Sequence, residues 1–448
     1  MHRSSKESEV VSKRTPDNQM AAAAIPMLEV RQLALGAMRL SGGTAVGHTI
    51  TLLATPFLAK LYGPESFGIW AGWLALAGVI GTVACLRYDT AIALPDNDRN
   101  ALHVAAVAIL LATLIAAASG MLLWGVTLLE VGGPWEQLGE HVAWVPVGAV
   151  VIAWVGVATQ WLARVQEVAT LAKAKIWSSA VTVGVQIALG WSAGAGGLIL
   201  GDILGRSAGL WGRIQEVWRS QASNIAEIRG KNLGEALRHY RVHSGWMTPT
   251  AMIDVLGQQA PLLLILNWYG GSIGGQFSLA QRLLALPATL LGQSVAQLLL
   301  PAMAKAHRAS PHTALRLFLG LSGILVLASA ALIGAVWHLE EGWLVALLGI
   351  EWQGIGGFLP PLSILVGVQL LASTLSQTAV VLGVQKWYAL WVVLWVAASV
   401  GGMWVGHNWG GLEATVWGLL TGSGTLYVFL WVGLLFRLIW SRGKNVSS

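Results

Sequence analysis

Apolar runs of roughly the length of a bilayer crossing recur from end to end of this chain, and that recurrence limits its fold more tightly than any motif. A spanning helix needs ~20 apolar residues in a row, whereas a spanning strand alternates apolar and polar residues over ~10. Runs such as Ala101–Leu128 and Leu315–Trp337 are continuous, which removes the barrel. Charge argues the same way. Asp, Glu, Lys and Arg make up 11% of the 448 residues, well under the ~25% usual in soluble domains. So few charges cannot cover a water-facing surface of that size. Lipid is therefore the solvent for most of the exterior, and a backbone in lipid must satisfy its own hydrogen bonds as helix.

Counting by length puts spans at about 33–58, 67–86, 101–128, 142–162, 176–191 and 197–211, then at about 245–268, 275–299, 315–337, 358–382, 387–405 and 412–436. The expectation is an all-α integral membrane protein of about twelve transmembrane helices in two six-helix lobes, residues 31–211 and 244–440. A basic linker, 212–243, joins them and is the longest polar stretch inside the chain. Residues 1–30 are expected to form a disordered cytoplasmic tail, with Met20 and Met27 as alternative starts, and no secretory signal is expected.

Placing the N-terminus inside sends all but two of the 27 Lys and Arg residues to the cytoplasmic side or the cytoplasmic ends of spans. The exceptions are Lys60, after the first span, and Arg282, within the eighth. A wrong helix count would scramble this asymmetry. The net charge of +6 thus reflects topology, and nucleic acid is not an expected partner. Both termini are expected in the cytoplasm. The single Cys85 permits neither an internal disulfide nor a thiolate metal cluster, and no metal or cofactor is expected.

The two halves repeat. Tyr62-Gly63, followed by Gly68 and Trp70, is matched at the same spacing by Tyr269-Gly270, followed by Gly275 and Phe277. Further on, Ala91 to Pro95 and Gln297 to Pro301 hold equivalent places within one residue. Spans six apart keep the same orientation, so the halves are parallel repeats about an axis along the membrane normal.

The stretch from Gly43 through Leu53, then Pro56-Phe57-Leu58-Ala59-Lys60-Leu61-Tyr62-Gly63-Pro64-Glu65-Ser66-Phe67-Gly68, resembles the first-to-second helix signature of the polysaccharide (O-antigen) flippase family. Leu86-Arg87-Tyr88-Asp89-Thr90-Ala91-Ile92-Ala93-Leu94-Pro95 resembles that family's turn after the second helix. A third block agrees: Gln259, Pro261, Tyr269-Gly270, Phe277 to Arg282, Leu286-Pro287, Gly292 to Ser294 and Gln297. Lys60 stands where the family usually has Arg, and Asp89 where Glu is common; both keep charge. The C-terminal third matches in hydropathy alone. The resemblance implies two six-helix lobes around a central cavity in the bacterial cytoplasmic (inner) membrane. It also implies alternating-access transport of undecaprenyl-pyrophosphate-linked oligosaccharide repeat units for surface polysaccharide such as the O-antigen of lipopolysaccharide. Membrane lipids, a polysaccharide polymerase and a chain-length regulator are the further partners it suggests.

A diphosphate headgroup with sugars asks for cations, hydroxyl-binding groups and an apolar track. Arg282 is the leading substrate candidate, because an Arg inside a span must face a wet cavity or a partner, and its planar donors suit phosphate oxygens. Pairing with a carboxylate for structure is the alternative. Arg39 and Arg87, at cytoplasmic ends of spans, are placed to receive the headgroup, although positive-inside anchoring explains them equally. Gln293 and Gln297 on the eighth span, and Gln369 and Gln377 with Ser373 and Ser376 on the tenth, form polar stripes that suit sugars or neighbouring helices. His48 and Asp254 fall at similar depths in repeat-related spans, where a protonatable pair would couple transport to protons, with sodium as the other coupling ion; local hydrogen bonding is the plain alternative. Asp202 and Arg206, four apart on the sixth span, read as a structural ion pair. Many of the 24 Trp fall at expected span ends, Trp135, Trp268, Trp337, Trp343, Trp352 and Trp440 among them, and read as interfacial anchors.

Other classes fit less well. A polytopic glycan polymerase or ligase needs a sizeable outer loop with catalytic side chains, and all the loops are short. No GxxxxGK[ST] cradle is present, so ATP hydrolysis is not expected. A drug or cation antiporter of the same superfamily is the nearer competitor. The Arg87–Pro95 block favours the polysaccharide branch.

Overall fold

The computed structural model describes residues 16–226 and 230–444. The side chains of Arg39, Gln293 and Gln297, three of the candidates above, lie outside the described residues, as does the tail before Pro16. Among the described residues there is helix and turn and no strand. Seven helical segments are long and apolar enough to cross a membrane. Three of these run for 40, 49 and 54 residues, or ~60–80 Å at 1.5 Å per residue, about twice the ~30 Å hydrocarbon core. Each carries one non-helical glycine, at Gly63, Gly270 and Gly411, where two helices meet. Dividing the three there gives the first and second, seventh and eighth, and eleventh and twelfth spans.

The third span is Asp98–Leu128, the fourth Val145–Arg164, the ninth Pro311–Trp337 and the tenth Leu359–Leu375. The fifth, Val168–Leu189, and the sixth, Gly194–Ala226, are the two whose composition alone falls short of a span. They pack tightly instead. A side chain on Gly201 would meet Gln186, and one on Gly209 would meet the backbone of Ala174, so small residues let the two backbones approach. The protein is a multi-pass membrane protein, and among the described residues its long helices divide at the glycine breaks as twelve span-like segments.

The polar linker differs from an extended connection. The sixth helix runs on past Trp211 to Ala226, and a separate helix, Gly230–His239, follows. The Tyr88 hydroxyl donates to the Leu237 carbonyl at 2.7 Å, Thr90 pairs with His243 at 3.3 Å, and the Ser244 hydroxyl donates to the Leu86 carbonyl. The family-like turn after the second span is therefore held by the linker and the start of the seventh span. Leu86 and Arg87 adopt left-handed backbone there, φ 44° and 60°, a conformation that costs a non-glycine residue and persists only when its surroundings impose it.

The repeat is structural. Gly63 and Gly270 share one backbone conformation, φ/ψ 68°/171° and 85°/178°, which a glycine tolerates without strain. The tyrosine before each docks on the equivalent later helix. The Tyr62 hydroxyl donates to the Gln186 carbonyl of the fifth span at 2.6 Å, and the Tyr269 hydroxyl pairs with His407 of the eleventh at 2.8 Å and Thr415 of the twelfth at 2.7 Å.

The second and eighth spans then cross at their starts. A Cβ on Gly68 would lie 3.0 Å from the Gly275 nitrogen and would be driven into the Gly271 carbonyl, while one on Gly275 would be driven into the Pro64 carbonyl. Gly68 and Gly275, and Pro64 and Gly271, are repeat partners, so the pseudo-twofold axis passes through this crossing. Trp352, expected at the interface, is instead buried beside it: its indole N–H donates to the Ala59 carbonyl at 3.0 Å and its ring meets Phe67 edge-on at 5.2 Å. Trp337, Trp343 and Trp440 are exposed, as interfacial anchors require. The lobes are thus sealed at the Gly63/Gly270 end, opposite the basic end.

Candidate functional site

The eighth span places Ser278, Gln281, Arg282 and Ala285 at helical spacing on one face, and the tenth does the same with Leu362, Leu365, Val366 and Gln369. Between them and the second, seventh, eleventh and twelfth spans lies a cavity of about 340 Å³, with Gln258, Gln259, Ser278, Gln281, Arg282 and Gln369 as polar lining groups and Ala71, Leu74 and Ala75 facing from the N-terminal lobe. A second cavity of about 280 Å³ shares Ala285, Val366 and Gln369 with the first, then continues past Thr289, Gly292, Ser373 and Thr374. These positions lie progressively closer to the basic end. The two cavities form one path that starts near the glycine crossing and leads toward the basic end.

Arg282 lies where the lobes meet. Its guanidinium sits over the Trp70 ring of the second span, 3.9 Å from the centroid. Among the described residues no carboxylate is in ion-pair contact with it. An Arg at such depth costs ~2.5–3.5 kcal/mol, of which a desolvated cation–π contact returns ~2 kcal/mol. Its donors are left directed at a cavity, where an anion would complete them. The carboxylate nearest in influence, Asp202, acts on Arg282 through space and is bonded to Arg206.

Sequence reasoning missed a charged cluster in the N-terminal lobe whose field reaches the site. Asp202 holds Arg206 at 3.1 Å, and the fields of both reach Arg282. Lys175, assigned from sequence to a cytoplasmic end, is half-buried and within electrostatic reach of Asp202, Arg206 and Arg213. Arg213, assigned to the linker, is only 6% exposed, and its Nε is buried without an acceptor. Asp202 is bonded to Arg206 alone, while its field reaches Lys175 and Arg282 as well. The signal in the sequence was the spacing Asp202, Arg206, Gly209, Arg213, which continues one helical stripe past the point where apolar counting ends the span.

The remaining candidates fall as follows. Gln369 is exposed within the cavity, and Gln377 is exposed beyond the end of the tenth span, away from the described lining. Arg87 reaches Asp89 at 3.9 Å and belongs to the turn held by the linker. Asp254 accepts from Gln258 at 3.1 Å and acts on Tyr388 and Tyr427. His48 has Lys175 as its charged neighbour. Each has its neighbours in its own lobe, and among the described residues no hydrogen bond or ion pair joins the two. Among the described residues no three His, Cys, Asp or Glu side chains gather as a metal site.

Solved structures share this fold. An inward-facing multidrug-resistance MATE family transporter of the MOP superfamily superposes with a TM-score of 0.62 at 15% identity, over 94% of this chain and 99% of its own. An outward-facing multidrug-resistance MATE family transporter of the MOP superfamily gives 0.57 at 15% identity, over 91% and 96%. A MOP superfamily transporter from Pyrococcus furiosus, described as having a binding pocket of reverse polarity suggesting a different function, gives 0.58 at 16% identity, over 90% and 95%. No curated protein matches the chain. Residues 57–355, well over half of the sequence, match the model of the family described as polysaccharide biosynthesis protein, and the chain belongs to that family.

Proposed function

We propose that this protein carries lipid-linked oligosaccharide diphosphates across the bacterial cytoplasmic membrane by alternating access, with both termini in the cytoplasm. The observation that carries the reading is Arg282: a cation with no carboxylate in ion-pair contact among the described residues, at the lobe interface, in a path that leads to the basic end. The diphosphate enters from that end and meets Arg282 from one lobe and Lys175, Arg206 and Arg213 from the other. The glutamines and serines of the eighth and tenth spans bond the sugar hydroxyls, while the prenyl tail stays in lipid between the lobes. Opening the Gly68–Gly275 crossing and closing the basic end then releases the headgroup outside. Undecaprenyl as the carrier, and O-antigen or a related surface glycan as the product, are the specific substrates we assign. Arg282→Ala, inserted at wild-type levels, abolishes surface polysaccharide in a complementation assay; retained export would remove Arg282 from the site.

One observation favours a second reading. Tyr388, Trp391 and Trp395 stack in a column with centroids 5.5 and 6.1 Å apart, Tyr427 packs on both tryptophans, and Asp254 stands near Tyr388 and Tyr427. An acid beside aromatic faces suits an organic cation. Ethidium efflux that depends on Asp254 but not on Arg282 would favour drug export.

A further inference from the structure

The two glycine breaks share one backbone conformation but not one environment. A Cβ on Gly270 would meet nothing within 4 Å, whereas one on Gly63 would lie 2.6 Å from a carboxylate oxygen of Glu351. The first break is thus covered by the loop between the ninth and tenth spans, a segment of the opposite lobe, and the second is left open. The repeat does not call for that difference.

The loop bridges the lobe boundary. Its helix, Glu341–Leu348, and the turn Ile350–Trp352 pack on the pair formed by the first and second spans. Its last turn, Ile355–Phe358, packs on the eighth and tenth, and the Gln276 side chain of the eighth donates to the Gln353 carbonyl at 3.5 Å. The Glu341 carboxylate accepts from the Gly354 N–H at 2.6 Å and closes the loop on itself. Gly349 and Gly354, φ 109° and 99°, turn the chain on either side of Trp352 and present it at the tip. The indole donates to the Ala59 carbonyl, one turn before the Gly63 break, at 3.0 Å, and the buried ring stands edge-on to Phe67. A buried indole needs an acceptor. Here the acceptor belongs to the other lobe, so parting the lobes at this end breaks the bond and wets the ring.

We infer that this loop is the bolt of the gate at the sealed end, and that Trp352 is the positioning residue that holds the lobes closed there. The Gly68–Gly275 crossing supplies close contact, and the bolt supplies a bond and a buried ring that are withdrawn before the crossing parts. The bolt is one-sided, anchored in the C-terminal lobe and seated in the N-terminal one. Removing a hydrogen bond made in the sealed state alone raises the ratio of open to sealed molecules about 2–10-fold. The inference rests on the alternating access of the proposed function and not on its substrate.

Trp352→Phe keeps an aromatic ring beside Phe67 and removes the donor. Spin labels at Leu129 and Trp409, exposed positions of the two lobes at this end, are read by pulsed dipolar spectroscopy in liposomes without substrate, in a Cys85→Ser background. The long-distance population rises in Trp352→Phe. It rises as well in Phe67→Leu, which loosens the seat from the other lobe and decides the matter if Trp352→Phe does not fold. Trp431→Phe is the control, since it loses an indole bond of the same length, 3.0 Å to Ser322, inside one lobe; it lowers thermal stability and leaves the distances unchanged. A Trp352→Phe protein that loses stability with unchanged distances reduces Trp352 to packing and overturns the bolt. An equal rise in Trp352→Phe and Trp431→Phe overturns it too. Gly275→Ala, which parts the crossing directly, separates the bolt from the wider mechanism. Opening in Gly275→Ala alone overturns the bolt, and opening in none of these variants overturns the bolt and alternating access together.

Discussion

Replacing Gly275 with alanine adds one methyl group at the point where the lobes are sealed. That Cβ would lie 2.9 Å from the Gly68 nitrogen and closer still to the Pro64 carbonyl oxygen. An ordinary C···O contact is ~3.3–3.6 Å, so the crossing must part by more than ~1 Å. The atoms in the way are backbone, which cannot rotate aside as a long side chain would. Overpacking of this kind costs ~1–3 kcal/mol, and it falls on the state sealed at this end alone, because separating the second and eighth spans removes the clash. The ratio of open to sealed molecules therefore rises ~5–150-fold. Spin labels at Leu129 and Trp409, exposed positions at this end of the two lobes, in a Cys85→Ser background, report the separation by pulsed dipolar spectroscopy in liposomes. The long-distance population grows in Gly275→Ala and in its repeat partner Gly68→Ala. Gly78→Ala is the control, since nothing stands within 4 Å of its added Cβ. Distance distributions in Gly275→Ala identical to those of the control would refute the crossing as the seal.

Further outcomes follow from the same geometry. Tyr62→Phe loses a buried hydrogen bond and Tyr269→Phe two half-buried ones to the later helices, and each lowers stability in a denaturation assay by about 1–3 kcal/mol; a loss in one and none in the other contradicts their equivalence. In intact cells lacking Cys85, a membrane-impermeant maleimide labels Gly132→Cys and leaves Asp96→Cys unlabelled; the opposite pattern inverts the proposed orientation. If transport is coupled to protons through Asp254 or His48, collapsing the gradient slows wild type, and Asp254→Asn or His48→Ala has already lost that response; a wild type that ignores the gradient ends the coupling proposal.

The sequence carried the fold because hydropathy, charge asymmetry and the Tyr-Gly repeat are all local signals of length, side and spacing. Gly63 and Gly270 were legible as turns, and their shared conformation follows from the residues that flank them. The site was legible in part. Arg282 stood out as a charge within an apolar run, and the structure brings it to Trp70 and a polar cavity. Lys175 and Arg213 did not stand out, because apolar counting opens the fifth span just after Lys175 and closes the sixth just before Arg213, and so files both charges with the loops. Those two helices are held by close backbone packing at Gly201 and Gly209, which a hydropathy window does not register. The linker misled for a similar reason: its polarity hides the bonds from Tyr88, Thr90 and Ser244 that tie it to the N-terminal lobe. The seal at Gly68 and Gly275 is a contact between distant segments that neither repeat unit displays alone.

The central claim is tested most directly by translocation in proteoliposomes. The purified protein is reconstituted with a fluorescent undecaprenyl-diphosphate oligosaccharide, and a membrane-impermeant quencher or glycosidase reports which leaflet the sugar occupies. The account predicts that wild type moves the lipid-linked sugar between leaflets, that Arg282→Ala does not, and that a lipid monophosphate carrying the same sugar moves more slowly. Equal movement with wild type, Arg282→Ala and protein-free liposomes would contradict it.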